Sequence, residues 1–144
     1  MPRIPPGRRA DYAVFLPVTT RWMDNDVFGH LNNVVYYSFY DSAVCTLLVR
    51  AGILTWTGGP HIMVMAESGC RYISEIAFPD RVTAGVRVVS LGTSSVRYEI
   101  GVFREDEDVA SAEGFMVHVC VDSTHRRPAP LPQDWRDKLL NIGG

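Results

Sequence analysis

Apolar and polar positions alternate in two rhythms along this chain, and the rhythms separate one helix from a set of strands. The helix is the clearest element. Tyr36, Tyr40, Ala43 and Leu47 recur at helical spacing, Phe39, Val44 and Leu48 widen the stripe, and Ser38, Asp41, Ser42 and Thr46 fill the other side. Asn32 is a good N-cap and Gly52 a natural stop, so the pattern predicts a helix of about 28 Å from residue 33 onward. Ahead of it, Val14, Leu16 and Val18 alternate with more polar neighbours and predict a strand over 13–22. Four strand-like segments follow, over 62–73, 81–91, 95–104 and 109–121, divided by Gly58-Gly59-Pro60, Pro79-Asp80, Gly92-Thr93 and the acidic tip Glu105-Asp-Glu-Asp108. Val96, Tyr98, Ile100 and Val102 share one face of the third of these; Phe115, Val117, Val119 and Val121 share one face of the last.

Consecutive strands joined by tight turns imply an antiparallel sheet, and the helix must bury its apolar stripe. An α+β fold with the sheet wrapped around one long central helix satisfies both. Residues 1–12, polar and proline-rich, read as a flexible arm. The domain proper spans 13–132, where Pro128, Pro130 and Pro132 forbid further pairing, and 133–144 form a short helix or tail.

Composition narrows the class. The chain has 144 residues, 47% hydrophobic and 21% charged, which suits one soluble domain with a real core. A net charge of -2 offers no electrostatic capture of nucleic acid. No apolar run approaches a membrane span and no secretory h-region leads the chain, so a reducing cytoplasm is the expected home. Cys45, Cys70 and Cys120 are odd in number and widely spaced, neither a disulfide framework nor a zinc site, and read as small core residues. His118 and Cys120 are not expected to pair, the strand being expected to turn them to opposite faces. Lys138 is the only lysine. The arginines suit phosphate groups, or reflect a compositional habit; Arg126 and Arg127 after the last strand are candidates on chemistry alone.

The chemistry concentrates before the helix. Asp24, Asp26 and His30 lie just upstream of a helix start, where unpaired N–H groups and a partial positive charge polarise a carbonyl oxygen. A carboxylate beside that spot attacks the carbonyl or takes a proton from water. Asp24 reads as a loop-ordering acceptor. His30 either meets the substrate or enters the helix. Tyr36 and Tyr40 read as core, Tyr37 as a pocket candidate, and Glu67 as a strand carboxylate either on a solvent face or at the site.

Residues 21–41, Arg-Trp-Met-Asp-Asn-Asp-Val-Phe-Gly-His-Leu-Asn-Asn-Val-Val-Tyr-Tyr-Ser-Phe-Tyr-Asp, resemble the signature of the hydroxybenzoyl-CoA thioesterase family. The likeness extends over about residues 14–132, through the Pro79-Asp80 and Gly92-Thr93-Ser94-Ser95 turns, residues 118–122 and Arg127-Pro128. It implies the hotdog fold and hydrolysis of an acyl-CoA thioester to free acid and CoA, without cofactor or metal. By position it implies Asp26 as the catalytic carboxylate, nucleophile or base, and the amide of Asn33 or a close neighbour as the carbonyl-polarising donor. Gly29 would let the backbone pass near the thioester, with His30 and Tyr37 as further substrate contacts. Some members of the fold use a carboxylate on the long helix, which here would be Asp41. The resemblance also implies a homodimer or homotetramer with sites at the subunit boundary.

Three rival readings stand beside this one. Met23-Asp24-Asn25-Asp26-Val27 superficially matches the Asp-x-Asp loop of haloacid-dehalogenase-like phosphatases, which need a parallel sheet. Asp24, Asp26 and His30 are a possible divalent-ion set. A non-catalytic acyl-CoA-binding hotdog protein is the third.

Overall fold

The computed structural model describes residues 3–143. One sheet of five antiparallel strands curls around one helix, the α+β hotdog arrangement. In chain order the elements are β1 (Val14–Val18), α1 (Val35–Arg50), β2 (His61–Tyr72), β3 (Val82–Leu91), β4 (Ser95–Arg104), β5 (Ala112–Asp122) and α2 (Gln133–Gly143), with the spatial order β1-β3-β4-β5-β2. Antiparallel pairing throughout removes the parallel sheet that the phosphatase reading needs.

The helical stripe read from spacing is the buried one: Tyr36, Phe39, Tyr40, Ala43, Val44, Leu47 and Leu48 all pack inward. Gly52, at φ +75, ends the helix as expected, with Ile53 N–H donating to Leu48 O at 2.9 Å and Gly52 N–H to Val49 O at 3.0 Å. The start differs. Asn32 is not the cap: its Oδ1 accepts Val34 N–H at 3.1 Å and its carbonyl Val35 N–H at 3.0 Å in a tight turn, so Val34 takes the N-cap place without a side-chain cap and regular helix begins at Val35. The helix is therefore 16 residues, about 24 Å long.

Val96, Tyr98, Ile100 and Val102 of β4 face the helix and are fully buried. On β5 the inward set is the other one. Ala112, Met116, His118 and Cys120 are buried beneath α1, on the same face as the half-buried Gly114, while Phe115, Val117 and Val119 lie on the outer face, half-buried. His118 and Cys120, two positions apart, thus share a face, contrary to expectation, because alternation returns every second residue to the same side. They do not pair: His118 Nδ1 lies 3.3 Å from Tyr98 Oη, and Cys120 Sγ is directed at Pro130 O.

The segment expected to be a flexible arm is tied across the outer face where it is described. Gly7 N–H donates to Glu113, Arg9 N–H to Asp108 O at 3.1 Å, and Arg8 bridges Val109. Tyr12 and Phe15 close over Phe103, an outward residue that becomes fully buried. Residues 1, 2 and 144 lie outside the described residues. Strand β1 stops at Val18, short of the expected 22, and a 3-10 turn over Trp22–Asp24 leads into the loop before α1.

Candidate active site

The loop ahead of α1 is sewn down at both ends. Asn25 bridges Leu31, Asp26 N–H donates to His30 O at 3.0 Å, and Gly29 N–H returns to Asp26 O at 3.1 Å. Gly29 sits at φ +86, a left-handed position that closes this small loop; it does not line the cleft described below. Across the loop, Leu31 N–H bonds Ile76 O at 2.7 Å and Asn25 Oδ1 accepts Phe78 N–H at 3.0 Å, which fixes it against the segment after β2.

Asp24 is the ordering carboxylate. It is buried, takes Arg21 N–H at 2.8 Å and the Arg21 guanidinium at 3.1 Å, and its carbonyl takes Asn32 N–H at 2.9 Å. Asp26 is half-exposed. Its Oδ1 accepts Phe28 N–H at 2.8 Å, and its Oδ2 has no hydrogen-bond partner among the described residues. His30 stacks against Phe28, and its Nε2 stands 3.8 Å from Glu75. Among the described residues no three His, Cys, Asp or Glu side chains converge as a metal set.

Asp26, His30 and Asn33 line one cleft of ≈ 350 Å³, shared with Phe28, Leu31, Tyr36, Tyr72 and Glu75. Tyr37 does not line it; it projects, partly exposed, edge-on to Tyr40. Asp41 is exposed further along α1, where it accepts from Cys45 Sγ at 3.6 Å. Glu67 is exposed on β2, opposite Val117, and away from the cleft. Tyr36, read as core, is both buried and part of the cleft wall. Tyr72 went unread: it sits 39 residues beyond Asn33, and no local pattern ties the two.

At the helix start, Asn33 N–H has no acceptor among the described residues. A free main-chain donor and a half-free carboxylate therefore share one concave site. Chemically, such a pairing can receive a developing oxyanion on one side and offer a nucleophile or a base on the other.

Arg126 and Arg127 are exposed on the turn after β5, held by Asp122. Register places this turn beside His61, at the far end of β2 from Tyr72, about 35 Å along the strand. Within one chain these arginines do not reach the cleft.

The sequence matches the thioesterase-like superfamily model over residues 18–139. Among solved structures, the PA5185 protein of Pseudomonas aeruginosa is 45% identical, with a TM-score of 0.91 and 96% of each chain covered. A thioesterase of Thermus thermophilus, solved with coenzyme A and zinc, is 34% identical at a TM-score of 0.77, covering 92% of this chain and 96% of its own. The uncharacterised protein YsmA of Bacillus subtilis is 22% identical over 116 residues, 80% of this chain and 78% of its own.

Proposed function

This chain belongs to the thioesterase-like superfamily and is a thioester hydrolase, and we propose that its substrates are acyl-CoA thioesters cleaved through Asp26. The observation that supports the reading is the shared cleft of Asp26 and Asn33, where one carboxylate oxygen of Asp26 and the N–H of Asn33 have no partner among the described residues. In it, the Asn33 N–H receives the carbonyl oxygen as it turns into an oxyanion. Asp26 either attacks the carbonyl carbon, giving an acyl-carboxylate anhydride that water then hydrolyses, or removes a proton from the attacking water. In both routes the C–S bond breaks, CoA leaves as thiolate and the acyl group leaves as free acid. His30 and Phe28 form the wall beside the carboxylate. The similarity to a thioesterase solved with coenzyme A supports the choice of thiol.

The reading includes self-association. Strand β2 is an edge, 12 residues long, and its middle from Met65 to Ser68 is exposed. Two such edges paired antiparallel continue the sheet and bring the 61 end of one copy beside the Tyr72 cleft of the other, as a homodimer or a pair of dimers. A cytoplasmic setting completes the proposal; among the described residues no helix is long and apolar enough to cross a membrane.

The test is a panel of acyl-CoA esters with thiol release as readout, run on the wild type and on Asp26→Asn. The variant is expected to keep its fold and its acyl-CoA affinity while turnover falls about 10²–10⁴-fold. Wild-type turnover in Asp26→Asn removes Asp26 from the chemistry. Acyl-CoA binding without turnover in the wild type makes the protein a binder instead.

A further inference from the structure

Tyr72 closes β2 and forms part of the cleft wall. Its hydroxyl donates to the main-chain oxygen of Asn33 at 2.7 Å. Its ring meets Tyr36 edge-on with centroids 5.1 Å apart. Two residues before it, Cys70 Sγ lies 2.9 Å from the buried Tyr40 hydroxyl. The end of the strand is thus braced against α1 on the same side as the phenol. Burial and the neighbouring Cys70 push the Tyr72 phenol above its ordinary range, so it stays protonated and remains a donor.

Two peptide units meet at Asn33, and together they carry four polar groups. The Asn32 carbonyl accepts Val35 N–H at 3.0 Å, and Val34 N–H donates to Asn32 Oδ1 at 3.1 Å. The Asn33 carbonyl accepts the Tyr72 hydroxyl. The remaining group is the Asn33 N–H, without an acceptor among the described residues. The first two bonds are internal to the turn and move with it. Among the described residues, the Tyr72 bond alone ties the two peptide units to the sheet.

We propose that Tyr72 is a positioning residue for thioester hydrolysis, holding the Asn33 main chain so that its N–H stands fixed at the cleft before substrate arrives. The inference rests on the reading of Asn33 N–H as the oxyanion donor. Such a donor works because it is aimed in advance and need not reorganise during reaction. A misplacement of about 1 Å costs on the order of 10²-fold in rate. The Tyr72 proton is committed to Asn33 O, so the phenol takes no part in bond making. Its effect belongs in kcat and leaves ground-state binding alone.

Tyr72→Phe keeps the ring and its contact with Tyr36 while removing one oxygen. With the acyl-CoA that the wild type turns over best, the variant is expected to keep its KM and melting temperature and lose about 10–100-fold in kcat. The shape of its pH–rate profile should not change, since the titrating groups remain. The ¹H–¹⁵N resonances of Asn33 and Val34 are expected to shift, because the peptide between them loses its partner. Wild-type kcat in Tyr72→Phe overturns the proposal. So does a rise in KM at intact kcat, which would make Tyr72 a substrate contact, and so does a loss of kcat with both resonances unmoved. Asp26→Asn assayed alongside separates the two ideas. Loss of turnover there with full kcat in Tyr72→Phe defeats only the role of Tyr72, whereas full turnover in Asp26→Asn defeats the reading of the site beneath it.

Discussion

At the scale of single residues, the two aspartates of the loop before α1 show how environment divides identical side chains between structure and chemistry. Asp24 commits its carboxylate to Arg21, whereas Asp26, two positions after Asp24, has one oxygen without a hydrogen-bond partner among the described residues. His118 is the structural histidine. It is buried under α1, with Tyr98 from β4 edge-on at 5.2 Å and with Asp41 and Cys45 on the helix nearby. Burial holds its imidazole below the ordinary value, with Asp41 pulling the other way. In the unfolded chain the group takes up its proton near pH 6.5. The native state resists that proton, so the stability present above about pH 6.5 is lost as pH falls toward the depressed native value. His118→Gln can still bond the Tyr98 hydroxyl but does not titrate. Thermal melts at pH 7.5, 6.5 and 5.5 should therefore show a steeper drop for the wild type than for the variant. Parallel curves would mean that His118 is not a source of the acid sensitivity.

At the scale of elements, the helix and the sheet meet through a size bargain that the hydrophobic pattern conceals. A Cβ placed on Gly114 would come within 2.3 Å of the Tyr40 ring. Gly114→Ala therefore has to displace the buried Tyr40 ring, and with it the seat of α1 on β5, and a loss of about 1–3 kcal/mol is expected from overpacking. Because α1 carries Asn33 at its head, turnover should fall along with the urea midpoint; an unchanged midpoint would show that the helix has slack at this crossing. The same bargain explains what was legible. Periodicity gave the buried face of α1 residue by residue, since a helix packed on one side must show its stripe. On β5 the larger apolar residues, Phe115, Val117 and Val119, point outward, while the inner face carries Gly114 and Ala112 to make room for aromatic helix side chains. Hydrophobicity alone picks the wrong face there. Asp26, His30 and Asn33 were readable because one short stretch of chain brings them together. Tyr72 was not, because the curl of the sheet brings it to Asn33.

At the scale of the whole molecule, the sheet order leaves β2 unpaired along one side, and the proposed site lies at one end of that edge while Arg126 and Arg127 lie at the other. A solitary chain thus separates the cleft from the basic groups suited to phosphates. Antiparallel pairing of two β2 strands about their middle reverses that separation: the end of one strand meets the beginning of the next. Each cleft then faces the partner's basic turn. Ala66 is the place to test this. It falls in the register shift between Met65 and Glu67, takes no part in the pairing with β5, and is exposed at the centre of the edge. A lysine there leaves the chain's own ladder intact, yet puts two like charges side by side at the axis of a paired edge. Sedimentation is expected to show a dimer or larger assembly for the wild type and a smaller species for Ala66→Lys at the same concentration. If the clefts are completed across the edge, turnover per chain should fall with the assembly and recover as concentration drives the variant back together. A variant that sediments as a monomer and turns over at the wild-type rate would place the whole site within one chain. A wild type that is itself monomeric at working concentration would do the same, and would leave the basic turn without a part in binding the substrate.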